Sequence, residues 1–161
     1  MYDMDESSSF NGFILLVLLK FFSKCTMNQV ACSLYLVRFP KILARLLTKE
    51  EEMKFNEFVP EWEIGNLDAL LVPYINQKYD TRFIRGIKEL FARGLISIEG
   101  EDVRLTSSIE IPSKSDAITS IENKAYFSSL VVKRTEISIL NEKISRIVGE
   151  EQWEIFSSST V

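Results

Sequence analysis

The sequence contains no histidine. The side chains that could do chemistry are therefore mainly its two cysteines and its many carboxylates. Histidine is the commonest general base and the commonest metal ligand, so either kind of site would have to be built without it. Cys25 and Cys32 lie seven positions apart. A structural zinc site needs four ligands, which this pair does not supply. We predict that both cysteines are reduced, buried thiols rather than partners in a disulfide.

The carboxylates occur in runs of neighbours rather than in pairs at catalytic spacing. Glu50–Glu52 and Glu150–Glu151 are consecutive, and consecutive residues on a helix point in different directions, which is typical of solvated faces. The sequence contains neither a glycine-rich phosphate-binding loop nor the Gly-x-Ser-x-Gly motif. A metal site built from carboxylates alone is the alternative left open. We predict that the chain is not an enzyme and uses neither a metal nor a cofactor.

A group of basic residues could instead contact nucleic acid. Arg82, Arg85, Lys88 and Arg93 are accompanied by only one acidic residue, Glu89. The whole chain has a net charge of -4 at pH 7, so it has no global attraction to phosphates. Any contact with nucleic acid would therefore have to come from this local surface.

These basic residues are predicted to lie on a helix that is followed by a β-hairpin. Asp80 or Thr81 caps the helix, and Gly94 stands where a helix end favours a left-handed residue. Residues 95–98 and 103–106 have strand patterns, and a four-residue loop (99–102) joins them. The helical spacing predicts an apolar face made of Phe83, Ile84, Ile87, Leu90 and Phe91.

A helix followed by a hairpin is the order of a winged-helix unit, whose DNA-binding members place that helix in the major groove. The predicted loop carries Glu99, Glu101 and Asp102, which would repel a phosphate backbone. We therefore favour a winged-helix-like unit that binds protein or has a structural role. Direct or weak nonspecific DNA binding through the four basic residues is the alternative.

The C-terminal region contains a second amphipathic pattern. Ile137, Leu140, Ile144 and Ile147 form an apolar stripe at helical spacing, with Gly149 at its predicted end. The stripe either packs back on its own domain or docks into a partner groove. The acidic tail that follows contains two aromatic anchors, Trp153 and Phe156, and such residues favour binding to a partner.

The N-terminal run Phe10–Phe22 is the most apolar part of the chain. It is too short to cross a bilayer and contains Asn11 and Lys20, so we expect a buried helix in a cytoplasmic protein without a membrane anchor. The predicted fold class is mainly α with a small β-hairpin, a winged-helix-like unit and helical segments at both ends. The predicted divisions are an acidic disordered start (1–9), a helical domain ending in the winged-helix-like unit (10–106), a linker (107–121), C-terminal helices (122–149) and an acidic tail (150–161).

The order of these features resembles the middle components of bacterial three-component ABC systems, which overlap the Lamassu-type defence operons. The resemblance rests on a leucine-rich stretch that runs through a proline (34–43) and on Leu71-Val72-Pro73-Tyr74. It also rests on Ala92-Arg93-Gly94-Leu95-Ile96, before the hairpin, and on the closing helices from Ala125 to Gly149.

The resemblance implies a small scaffold subunit of an SMC-like ATPase complex that defends against phage or plasmid DNA. Such a subunit would bridge the ATPase and an effector, for example a nuclease, without catalysis of its own, and would touch DNA only weakly or indirectly. An apolar N-terminal helix left partly exposed would make it poorly soluble when expressed alone. The rival interpretation is a winged-helix transcription regulator that binds DNA through Arg82, Arg85, Lys88 and Arg93.

Overall fold

The computed structural model describes residues 7–64, 80–111 and 115–158, with side chains up to Trp153. Residues 1–6 of the predicted disordered start (1–9) and the Leu71-Val72-Pro73-Tyr74 motif lie outside these residues, whereas Ser8 and Ser9 are helical rather than disordered. The described elements follow in chain order: α1 (Ser8–Lys20), β1 (Cys25–Thr26), α2 (Met27–Arg38), α3 (Pro40–Leu46), α4 (Lys49–Phe58), α5 (Glu61–Ile64), α6 (Thr81–Ala92), β2 (Ile96–Glu99), β3 (Asp102–Leu105), α7 (Asp116–Arg134) and α8 (Ile137–Ser158). The predicted mainly helical class with a small hairpin is confirmed.

The sheet has three strands rather than the two predicted. β3 lies in the centre, with β2 on one side and β1 on the other, and both pairings are antiparallel. Glu99 pairs with Asp102, so only Gly100 and Glu101 connect β2 to β3 instead of the predicted four-residue loop. Gly100 has a φ of 62°, and a glycine at the first central position is what a tight two-residue turn of type II′ requires.

Helix α1 lies in the centre of the molecule. Ser7 caps it by accepting a hydrogen bond from the backbone N–H of Phe10 at 3.3 Å. Both Leu15 and Leu18 are fully buried, in agreement with the prediction of a buried apolar helix. Phe10, Phe13, Leu16 and Phe21 are only partly buried, so the apolar run also keeps some exposed surface, as expected. No helix in the described part of the chain is long and apolar enough to cross a membrane.

The chain turns sharply between α2 and α3, as the proline predicts. Thr26 and Gln29 form a capping box at the start of α2, in which each side chain bonds the backbone N–H of the other. Pro40 occupies the first position of α3, where its missing N–H costs nothing, and Phe39 before it leaves the helical conformation.

Helix α7 packs across α1, α2 and α4 and closes the core. Phe127, Val131 and Val132 are buried, and the ring of Phe127 meets that of Phe55 edge-on at 5.5 Å. α7 begins at Asp116, so the end of the predicted linker (107–121) is helical instead. The reason is a cap at Ser115, whose Oγ accepts a hydrogen bond from Ile118 at 3.3 Å.

Helix α8 continues through Gly149, where the sequence predicted its end. The backbone is helical to Ser158, so most of the predicted acidic tail (150–161) extends this helix. Glu151 is buried and lies 2.8 Å from Lys41 and 3.3 Å from Arg45 of α3, and Glu150 also pairs with Arg45. These ion pairs hold α8 against α3 beyond the glycine, which explains why the helix does not stop there.

Candidate interaction surface

Helix α6 is fixed on the domain by its start and by its inner face. Asp80 caps α6 through the backbone N–H of Phe83 at 3.0 Å, and its carboxylate also accepts a hydrogen bond from Arg38 of α2 at 2.8 Å. Phe83, Ile87 and Leu90 are buried.

Gly86 lies where α6 crosses α1. A Cβ atom there would lie 3.3 Å from the backbone of Asn11 and of Gly12, and 2.7 Å from Leu15 Cδ1. The two backbones can approach this closely because the crossing residue has no side chain. The outer surface of α6 is therefore presented on a rigid support.

The structure separates the four basic residues predicted as a nucleic-acid contact. Arg85 and Lys88 are exposed on the outer side of α6, and in the described part of the chain neither forms an ion pair. Arg82 is half-buried on the opposite flank. Arg93 lies near that flank, where its Nε donates to Glu89 at 2.8 Å. Arg85 and Lys88 thus remain together as a surface charge that no described residue pairs with.

Two apolar residues that were predicted to face the core are exposed beside this charge. Ile84 is 41% exposed and Phe91 is 59% exposed. They are seven positions apart and therefore share one flank of the helix, next to Lys88, which follows Ile84 by four. We call Ile84, Arg85, Lys88 and Phe91 the α6 face. Sequence periodicity assigned Ile84 and Phe91 to the buried side because the apolar side of α6 is wide. Helix α1 covers only part of that side and leaves these two residues exposed.

The hairpin next to α6 carries negative charge. Glu99 and Glu101 are exposed near the turn, while Asp102 pairs with Lys24 at 3.0 Å. These positions agree with the predicted acidic loop. A phosphate backbone that lay along α6 and the hairpin together would meet the carboxylates of Glu99 and Glu101 as well as the exposed guanidinium of Arg104.

The C-terminal stripe packs inside the protein. Leu140 and Ile144 are fully buried, Ile147 is buried and Ile137 is partly buried against the core. Of the two alternatives, packing back on the domain is therefore the one found, and these four residues are not a free docking surface. Trp153 is 74% exposed and remains accessible, whereas the side chain of Phe156 lies outside those described.

The two cysteines are buried thiols, as predicted. Burial, helped by the negative charge of Asp102, raises the pKa of Cys25 from 9.0 to about 12. Its Sγ lies 3.7 Å from the carbonyl oxygen of Val103, to which it donates. A thiol with such a pKa stays protonated near neutral pH and is a poor nucleophile.

The described residues form no group of three or more His, Cys, Asp or Glu side chains that could hold a metal ion. One apolar cavity of about 80 Å³ lies between α1 and residues 109–111, with Phe13 and Leu16 in its wall. The α6 face combines exposed apolar side chains with exposed basic ones, and it is the surface on which a function is proposed below.

Comparison of the chain with known protein families, curated proteins and solved structures found no match.

Proposed function

We propose that the chain is a non-catalytic adaptor that binds other proteins through a winged-helix-like unit. The unit would comprise α1, β1, α2, α6 and the β2–β3 hairpin. The proposal is supported by the order of these elements and by the three-stranded sheet in which β1 lies beside β3. In this arrangement α6 corresponds to the helix that reads DNA in DNA-binding members.

The observation that carries the proposal is the exposure of Ile84 and Phe91 on α6. An exposed aromatic ring and an exposed aliphatic side chain on one flank of a helix are typical of a contact with a protein partner. A helix that enters the major groove presents polar side chains to phosphates and base edges instead. The chemistry of the α6 face therefore favours a protein partner.

The number of available cations points the same way. When the salt concentration rises tenfold, the affinity of a protein for duplex DNA falls by roughly 0.9 powers of ten for each phosphate that it contacts. Proteins that bind DNA tightly contact many phosphates. The α6 face offers only Arg85 and Lys88, and Glu99 and Glu101 oppose them from the hairpin. DNA contact by this surface would be weak and indirect.

The partners of the adaptor would be a cytoplasmic SMC-like ATPase and an effector, such as a nuclease, in a complex that acts against phage or plasmid DNA. This part of the proposal comes from the resemblance to the middle components of three-component ABC systems. The small size of the chain and its exposed aromatic residues, among them Phe91 and Trp153, are compatible with a bridging role.

Co-expression with the products of the neighbouring genes tests the proposal. An adaptor should co-elute in size-exclusion chromatography with an ATPase encoded beside it. If no such complex forms with any neighbouring gene product, the adaptor proposal is wrong.

The rival function, a DNA-binding regulator, is favoured by the place of α6 in the winged-helix-like order and by Arg85 and Lys88, which no described residue pairs with. It is tested by the retention of the purified chain on labelled duplex DNA in low salt, with an R85E/K88E variant as the matched comparison. Retention of one sequence in the nanomolar range, abolished in the variant, would establish the regulator instead.

A further inference from the structure

We propose that the α6 face is the docking site for an acidic amphipathic helix of a partner protein. The inference rests on the proposed adaptor function and names the chemistry of the partner segment. It follows from the spacing of two apolar anchors, from the charge between them and from the rigidity of their support.

The apolar anchors define the length of the partner segment. Ile84 and Phe91 are separated by seven residues of regular helix, which corresponds to about 10.5 Å along the axis at 1.5 Å per residue. A second helix that crosses α6 at a shallow angle presents apolar residues with the same spacing, at positions i and i+7 or at i, i+3 and i+7. A helical partner segment can therefore place one apolar residue on Ile84 and another on Phe91.

The charged residues define the sign of the partner. Docking over Ile84 and Phe91 would also cover Lys88, which lies between them along the helix, and would approach Arg85. A covered cation without a counter-charge loses its hydration and destabilises the complex. Arg85 and Lys88 form no ion pair with the described residues, so carboxylates on the docked segment would complement their charge. The segment should therefore carry Asp or Glu beside its apolar residues.

A second copy of this chain is a poor occupant of the same surface. In a twofold-symmetric dimer through the α6 face, each face would meet its own equivalent. Arg85 and Lys88 would then approach the Arg85 and Lys88 of the other copy, and like charges that are brought together oppose association. The charge pattern thus favours a different protein.

The support of the α6 face makes the site preformed. The close crossing at Gly86 and the Asp80–Arg38 hydrogen bond of 2.8 Å fix the axis of α6 on α1 and α2. A preformed site loses little conformational entropy when a ligand binds, so a short acidic helix is sufficient for measurable affinity.

A random peptide library displayed on phage provides a probe that needs no known partner. We expect selection on the immobilised full chain to enrich acidic peptides with apolar residues at helical spacing. A synthetic copy of an enriched peptide should bind the I84S/F91S variant about tenfold more weakly or worse, because anchor residues dominate such interfaces. The R85E/K88E variant should also lose binding, and binding to the wild type should weaken as salt rises.

The matched control is I139S, which changes an isoleucine of similar exposure (46%) on α8 and should leave peptide binding unchanged. Thermal unfolding followed by circular dichroism verifies that each variant is folded, and all substituted side chains are exposed. Enrichment of basic peptides, absence of any enrichment, or equal binding to the wild type and I84S/F91S would overturn the inference. If the chain still forms a complex with a neighbouring ATPase in that case, only the docking site is wrong and the adaptor function stands.

Discussion

At the scale of single residues, two helical glycines have opposite surroundings. Gly86 lies at the crossing of α6 and α1, where a Cβ would approach Leu15 to 2.7 Å. Gly149 lies within α8, and a Cβ there would meet nothing within 4 Å. The same substitution should therefore have opposite effects at the two positions.

We expect G86A to lower the free energy of unfolding by about 1 kcal/mol, because an overpacking cost of roughly 1–3 kcal/mol exceeds the gain of about 1 kcal/mol in helix propensity. We expect G149A to raise it by about 0.5–1 kcal/mol, since alanine there only restricts the unfolded chain. Urea denaturation measures both. Equal effects of the two substitutions would mean that α1 and α6 do not cross as described.

Two buried groups that lose a proton at high pH, the Cys25 thiol and the Tyr35 hydroxyl, should make the folded protein less stable in alkaline solution. Burial raises the pKa of Cys25 from 9.0 to about 12, and burial also raises the pKa of Tyr35 above its ordinary value of 10.0. Between pH 9 and pH 12 the thiol ionises in the unfolded chain but stays protonated in the folded one. The unfolded state therefore binds fewer protons than the native state, and stability falls as pH rises through this window.

The Cys25 thiol should therefore leave the urea midpoint of the wild type unchanged below pH 9 and lower that midpoint as the pH rises above 9. The C25A variant lacks the thiol and should show a shallower decrease between pH 9 and pH 10. Identical slopes for the two proteins would show that the thiol is not shielded from water.

At the scale of elements, helix caps set several of the boundaries. Thr48 and Glu51 form a capping box at the start of α4, and Glu51 also accepts hydrogen bonds from Arg134 at 2.7 and 2.8 Å. The cap thus links the start of α4 to the end of α7.

We expect T48A to destabilise the protein by about 1 kcal/mol, the usual cost of losing a threonine cap. Thr119 is a matched control, because it lies exposed within α7 and caps nothing, so T119A should change stability by less than about 0.5 kcal/mol. Chemical denaturation of the two variants side by side gives the comparison. A T48A loss no larger than that of T119A would contradict the cap.

The elements that sequence reasoning predicted well are those marked by a single decisive residue. Pro40 stops α2, Asp80 caps α6 and Gly94, with a φ of 69°, ends it. Elements that depend on tertiary contacts were missed. Strand β1 has only two residues and no periodicity, and it exists because Cys25 and Thr26 pair with β3.

The candidate site was predicted only in part for the same reason. Periodicity gives the width of an apolar arc but not the strip that a neighbour covers, so Ile84 and Phe91 were assigned to the core. Packing against α1 buries Phe83, Ile87 and Leu90 and leaves Ile84 and Phe91 exposed. Likewise, the sequence leaves open whether the stripe of α8 serves its own core or a partner, and packing beside α3 decides for the core.

At the scale of the whole molecule, the hydrophobic core includes residues from α1 at one end of the chain to α8 at the other. Ile144 and Val148 of α8 are fully buried. Removal of α8 should therefore expose core surface and destabilise the entire fold rather than release an independent tail.

A stop codon after Arg134 should give a protein that binds a hydrophobic dye such as ANS and lacks a cooperative thermal transition. The full chain should unfold in one cooperative step without dye binding. A truncated chain with a cooperative transition near that of the full chain would show that α8 is a separate appendage.

Whether the chain acts on other proteins through the α6 face can be measured by co-expression with the SMC-like ATPase that we propose as its partner. Size-exclusion chromatography then compares the wild type, I139S and I84S/F91S. We expect the wild type and I139S to co-elute with the ATPase and I84S/F91S to elute alone, although it is folded. Co-elution of all three proteins to the same extent would contradict this role of the α6 face.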